Sequence, residues 1–192
     1  MKKSNPISIP ALILVDIQKG LDDLDHYGQR NNPEAEENAA HLLEHWRRRS
    51  WPLFHVKHNA LNEESKLRPG LPGNAIKDIV RPSHGETIIE KNTNSAFVNT
   101  DLDSQLKRER IDQLIFAGIA TDHCISASVR SASDLGYVVF VVADATAAFD
   151  RTGYDKKKFS AEEVHEHALA SLHGEFATVM DMEEVIKWIN KK

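Results

Sequence analysis

The sequence holds a single cysteine in 192 residues, so no internal disulfide braces the chain. That leaves an inert buried thiol or a catalytic one. There is no basic excess either. Lys plus Arg number 24 against 29 Asp plus Glu, a net charge of -5. With a pI near 6.1, that balance excludes a nucleic-acid or anionic-membrane surface as the main business of the chain. The longest apolar run, around Val138 to Ala143, is far short of a membrane span. The opening MKKSNPISIP has two lysines and no hydrophobic stretch behind them, so no secretory leader is expected and a cytoplasmic location is. No repeat, low-complexity tract or Gly/Ser/Pro linker divides the chain, and residues 1–192 are expected to form one domain.

What is present is ordinary globular material, 41% hydrophobic and 28% charged. Short β-branched runs alternate with helical patterns. ALILV (Ala11 to Val15), PLFHV (Pro52 to Val56), TIIE (Thr87 to Glu90), the IDQLIFAGI run to about Gly118, VVFVVA (Val138 to Ala143) and FATVM (Phe176 to Met180) predict six strands. Asn32 before Pro33, Thr100 with Asp103, Thr121, Ser160 with Glu163 and Asp181 with Glu184 predict helix starts; Gly136 and Gly174 predict stops. Strands apolar on both faces, each followed by a helix, predict a parallel sheet covered on both sides. The Asn59 to Gly85 stretch, with RPGLPGN inside it, lacks periodicity and predicts a long functional loop with a rigid wall. In a three-layer, doubly wound α/β sandwich, ligands bind beyond the carboxyl ends of the strands.

Three reactive side chains stand at those ends. Asp16 follows the first strand, Lys91 the third, and Cys124 lies just past the fourth, near the start of a helix opened by Thr121. A thiol in a helix's first turn, with a lysine nearby, is favoured as thiolate, and a carboxylate can accept its proton and return it to a leaving amine. Each residue alone has a plainer reading: a buried thiol, a loop hydrogen-bonder and a solvated lysine.

Taken together with their surroundings, these residues resemble the isochorismatase-like cysteine hydrolases, the superfamily of nicotinamidases and N-carbamoylsarcosine amidohydrolase. LILVDIQKG, EKNTNSAF, GIATDHCISASVRSASDLGYVVFVVADATAAF and VHEHALASLHGEFATVMDMEEVI carry the likeness in collinear order over nearly the whole chain. The resemblance implies a Rossmann-like six-stranded parallel sheet of order 3-2-1-4-5-6 and a catalytic triad of Asp16, Lys91 and Cys124. Cys124 would attack a carbonyl, Asp16 would shuttle the proton, and Lys91 would stabilise charge. It also implies a cis peptide at Ile119–Ala120 that aims the Ala120 and Cys124 N–H groups at an oxyanion. With strand three two spacings from strand one, roughly 10 Å, Lys91 must lean across strand two to reach Asp16.

The metal-binding Asp-x-His of nicotinamidases has no counterpart in FHVKHNALNEES. His55 and His58, three apart on a strand, face opposite ways, and no metal or other cofactor is expected. His58, Asn59, Phe97 and Ile119 are the candidates to contact substrate. His165, His167 and His173 are expected at the surface or an interface; His123 diverges from Cys124 by about 100° along a helix and is a poor base for it. Asp122 and Ser126 are expected as polar residues of a helix's first turn, and Trp46 and Trp51 as packing. The leading expectation is cofactor-independent hydrolysis of a small amide, ureide or related C–N bond by a homo-oligomer, dimer or tetramer. The alternatives are vinyl-ether hydrolysis with Asp16 as acid, and a non-enzymatic binding or scaffold protein on the same fold.

Overall fold

A computed structural model describes residues 9–191; most of the amino-terminal segment weighed for a leader lies outside them. In chain order the elements are β1 (Ala11–Val15), α1 (Leu24–Tyr27), α2 (Ala35–Arg49), β2 (Leu53–His58), β3 (Thr87–Lys91), α3 (Leu102–Arg108), β4 (Gln113–Ile119), a π-turn (Thr121–Ile125) and α4 (Ser126–Asp134). Next come β5 (Val138–Ala147), β6 (Arg151–Thr152), β7 (Lys158–Phe159), α5 (Ala161–Leu172), β8 (Thr178–Met180) and α6 (Met182–Ile189). The main sheet is parallel throughout, in the order β3-β2-β1-β4-β5-β8. This is the expected topology, with β8 in sixth place because a small antiparallel hairpin, β6–β7, intervenes.

Strand alternation divides the core. Ala11, Ile13 and Val15 turn to one face with Phe54, Ile89, Leu114 and Phe116, under α3, α4 and α5. Leu12 and Leu14 turn to the other with Ile115, Ala117 and Val142, under Leu42, Leu43 and Trp46 of α2 and Val185 and Ile189 of α6. Central strands β1 and β4 are buried along their whole length, which is why they run apolar without interruption. Edge strand β3 alternates, with Ile89 inside and Ile88 half outside. Each large side chain fully buried here contributes roughly 1.5–3 kcal/mol. Trp46 packs edge-on to Trp51 and donates its Nε1–H to the Pro10 carbonyl at 3.0 Å.

Some expected helix starts are placed differently. Asn32 does not cap α2, which begins at Ala35; it adopts φ 43° and its amide donates to the Ala143 and Thr146 carbonyls at 3.1 and 2.8 Å. The reach of a short polar side chain across to β5 outweighs the local cap. Thr121 opens a π-turn without a side-chain cap. Both predicted capping boxes are present, Ser160 with Glu163 and Asp181 with Glu184.

One close approach shapes the carboxyl ends. Gly118, at φ +135°, lies so near β1 that a Cβ there would stand 2.0 Å from the Val15 carbonyl oxygen. The β4–β5 register shifts at this point. Asp16 then leaves β1 in a left-handed conformation, φ 54°, which Asp tolerates better than most residues. A Gly118→Ala variant is expected to lose at least about 3 kcal/mol in urea unfolding, through both clash and φ. A loss below about 1 kcal/mol would show that the strands can separate here without penalty.

Candidate active site

The three carboxyl-terminal side chains converge. Asp16 and Lys91 are 2% and 3% exposed, and Cys124 is half-buried on the π-turn. Lys91 reaches across the end of β2, where it is in register with His58, and its Nζ lies 2.6 Å from Asp16 Oδ2. The same ammonium is 3.1 Å from the Thr93 carbonyl, 3.1 Å from His58 Nδ1 and 3.4 Å from Cys124 Sγ. The other carboxylate oxygen, Asp16 Oδ1, is buried with no hydrogen-bond partner among the described residues. An unpartnered carboxylate oxygen beside a thiol is a ready proton acceptor. The thiol itself points toward Asn94 Oδ1, 3.9 Å away.

Electrostatics here differ from the simple helix-terminus expectation. Burial, and then the Asp16 carboxylate, push the Cys124 thiol well above its ordinary range, and Lys91 only partly opposes them. Both effects favour the thiol over the thiolate. Ligand-type atoms of Asp16, His58 and Cys124 lie within 4.8 Å of one another. Lys91 Nζ already contacts all three, so the cationic position among them belongs to the lysine. His55 turns away and pairs with Glu86 at 2.9 Å, so the two histidines of β2 do not converge.

The other candidates fall in several places. His58 is in the cluster. The Asn59 N–H donates to the Lys91 carbonyl at 2.7 Å, and its side-chain oxygen accepts from Asn74. Phe97 packs on Tyr137, ring centres 6.0 Å apart. Ile119, 1% exposed, belongs to the core beneath the site with Leu21, Leu67 and Phe149. The Ile119–Ala120 peptide is cis, and the Ala120 carbonyl accepts from both His123 and Ile125 N–H at 3.1 Å, closing the π-turn.

Two expectations need correcting. His165 is not at the surface: it is 5% exposed, with Nδ1 2.9 Å from the Thr121 hydroxyl, because α5 packs against the π-turn. Asp122 is more than a first-turn polar residue, since Arg151 grips it from the hairpin at 2.8 Å. His123 is exposed, with Nε2 3.3 Å from Asp122 Oδ2.

The sequence also hides a supporting shell. Gln18, fully buried, donates to the His58 and Asn74 carbonyls at 3.0 and 2.8 Å and accepts from the His58 N–H. It pins the long loop to the end of β2. The Asp-x-Gln spacing was the available signal, but it carried no partner. Ser95 bonds Ser131, and Ser128 accepts from the Ala96 N–H, so the segment after Lys91 is stitched to the helix after Cys124. Neither Ser128 nor Ser131 stands out in a serine-rich helix.

Comparison with known proteins identifies the family. The isochorismatase domain model matches residues 10–184. This chain belongs to the isochorismatase family. It is 39% identical over 176 residues to the isochorismatase family protein YrdC of Bacillus subtilis, covering 92% of this chain and 94% of that one. It is 28% identical to nicotinamidase 3 of Arabidopsis thaliana, covering 96% and 91%. A crystal structure of an isochorismatase-family protein from Chromobacterium violaceum superposes with TM-score 0.93 at 38% identity, covering 100% of this chain and 98% of that one. The family hydrolase acts on small molecules, and no helix among the described residues is long and apolar enough to cross a membrane.

A thiol held above its ordinary value of about 8.5 should react slowly and keep gaining rate with pH. Alkylation of Cys124 by iodoacetamide is expected to climb through about pH 9 without levelling, and Asp16→Asn to accelerate it about tenfold at neutral pH. A rate already level below about pH 8 would show a resting thiolate instead.

Proposed function

We propose that this isochorismatase-family hydrolase cleaves a small amide, ureide or related C–N bond through a thioester at Cys124. The observation that carries this reading is the Lys91 ammonium, within 3.4 Å of both Asp16 and Cys124, beside an unpartnered Asp16 oxygen. The similarity to a nicotinamidase supports the same bond type.

In this reading Asp16 Oδ1 takes the thiol proton as Sγ attacks the carbonyl carbon, so the sulfur gains nucleophilicity only in step with bond formation. Lys91 stays paired with Asp16 and balances the charge left when the thiol ionises. Ala120 and Cys124 N–H groups receive the oxyanion; one such donor is typically worth on the order of 10²–10³ in rate. Asp16 passes the proton to the departing nitrogen, which leaves as an amine or ammonia. Water then attacks the thioester, Asp16 takes its proton, and the acid departs as the thiol is restored. His58, Asn59, Phe97 and Ile119 remain the proposed surroundings of the substrate, the last through packing rather than direct contact.

A panel of small amides and ureides assayed for released ammonia tests the proposal. Cys124→Ala is expected to abolish turnover while leaving the fold intact, since alanine suits a helical turn and only one sulfur is removed. Asp16→Asn is expected to be nearly as damaging, and the double variant scarcely worse than either, because the residues act as one unit. If Cys124→Ala keeps most of its activity while Asp16→Asn loses it, the nucleophilic reading fails. Acid-catalysed vinyl-ether hydrolysis through Asp16 then takes its place.

A further inference from the structure

Lys91 is surrounded more completely than an ion pair requires. An ammonium has three N–H donors and no acceptor. They face three close acceptors, Asp16 Oδ2 at 2.6 Å and the Thr93 carbonyl and His58 Nδ1 at 3.1 Å, with Cys124 Sγ a fourth, longer contact at 3.4 Å. Because lysine can only donate, a hydrogen bond between the two requires His58 Nδ1 to be the unprotonated ring nitrogen, with the proton of the neutral ring on Nε2. The charged and titratable groups around the ring are Lys91 from β3, Asp16 from the end of β1 and Cys124 from the π-turn.

We propose that His58 is a positioning residue: its neutral imidazole holds the Lys91 ammonium between Asp16 and Cys124, and protonation of the ring releases that hold. The proposal rests on the reading of Lys91 as part of the catalytic unit. Protonation puts a second donor and a second positive charge against the ammonium, with only one carboxylate nearby to offset them. Burial, and then Lys91, keep the imidazole below its ordinary range, so the ring is neutral at pH 7 and the hold is intact there. The sign follows: activity that depends on the hold is present above the ring's midpoint and lost as pH falls through it. Gln18 supports the same residue through its backbone, fixing the end of β2 from which the ring projects.

The first test does not depend on turnover. Nitrogen-15 NMR of histidine-labelled protein is expected to show an unprotonated Nδ1 and a protonated Nε2 for His58 at neutral pH, with a midpoint below about 6.5. A protonated Nδ1 in the neutral ring overturns the proposal, whatever the enzyme hydrolyses. The second uses 4-nitrophenyl acetate as an activated acyl probe. Below about pH 6 the wild-type kcat/KM is expected to fall along a limb that matches the NMR midpoint. His58→Ala should lower kcat about tenfold or more at neutral pH, the loss of one hydrogen bond to a charged group. His58→Gln, whose amide oxygen can accept from Lys91 without titrating, should recover most of that rate and lack the acid limb. An unchanged acid limb in His58→Gln also overturns the proposal. Absence of wild-type turnover of the probe counts against the thioester reading instead, and the NMR result still decides the role of His58.

Discussion

A buried ion pair between two sheet ends governs this molecule. Lys91 and Asp16 are almost entirely removed from water, and such burial is favourable only where geometry and additional hydrogen bonds are good. The fold supplies both. Strand β2 ends at His58, leaving a gap across which a lysine from β3 can reach the residue after β1. Thr93 and His58 receive the remaining ammonium protons. Gly118 brings β4 and β1 close enough that the turn carrying Cys124 begins beside Asp16. The same pair bears on the sulfur, because the carboxylate that binds lysine adds to burial in raising the Cys124 thiol above its ordinary range.

Around that pair, the two segments with least regular structure are held by buried amides and hydroxyls in addition to the apolar packing of Leu67, Val80 and Ala96. Gln18 and Asn74 between them bind the carbonyls of His58, Leu67 and Asn74 itself. Unpaired, such groups are costly in a buried setting; paired, they fix one conformation of the loop. On the other side, Ser95, Ser128 and Ser131 couple the lysine's segment to α4, the helix after Cys124. One arm of the site is thereby tied to the end of β2 and the other to α4.

Much of this was legible in the sequence because it depends on local rules. Uninterrupted apolar runs such as ALILV mark buried parallel strands, and the spacing of Ser160 and Glu163 marks a helix start. The positions of Asp16, Lys91 and Cys124 at the ends of the first, third and fourth strands made their convergence inferable once the strand order was known. What escaped depends on distant partners. Asn32 has a good local cap geometry in sequence, yet its amide goes to β5, more than a hundred residues away. His165 looks like one more polar residue of an amphipathic helix until α5 is seen against Thr121. The short β6–β7 hairpin has too few residues to show a period, and the upward push on the Cys124 thiol comes first from burial, which no spacing reveals.

The central claim is that Cys124 becomes covalently acylated. Mass spectrometry of the protein mixed with a slowly hydrolysed amide and quenched in acid tests it most directly. The account predicts the acyl mass on the peptide that contains Cys124, at stoichiometry approaching one per chain, and its absence in Asp16→Asn. Steady turnover of the same amide with an unmodified Cys124 peptide at every quench time, together with full activity after Cys124→Ala, would contradict it.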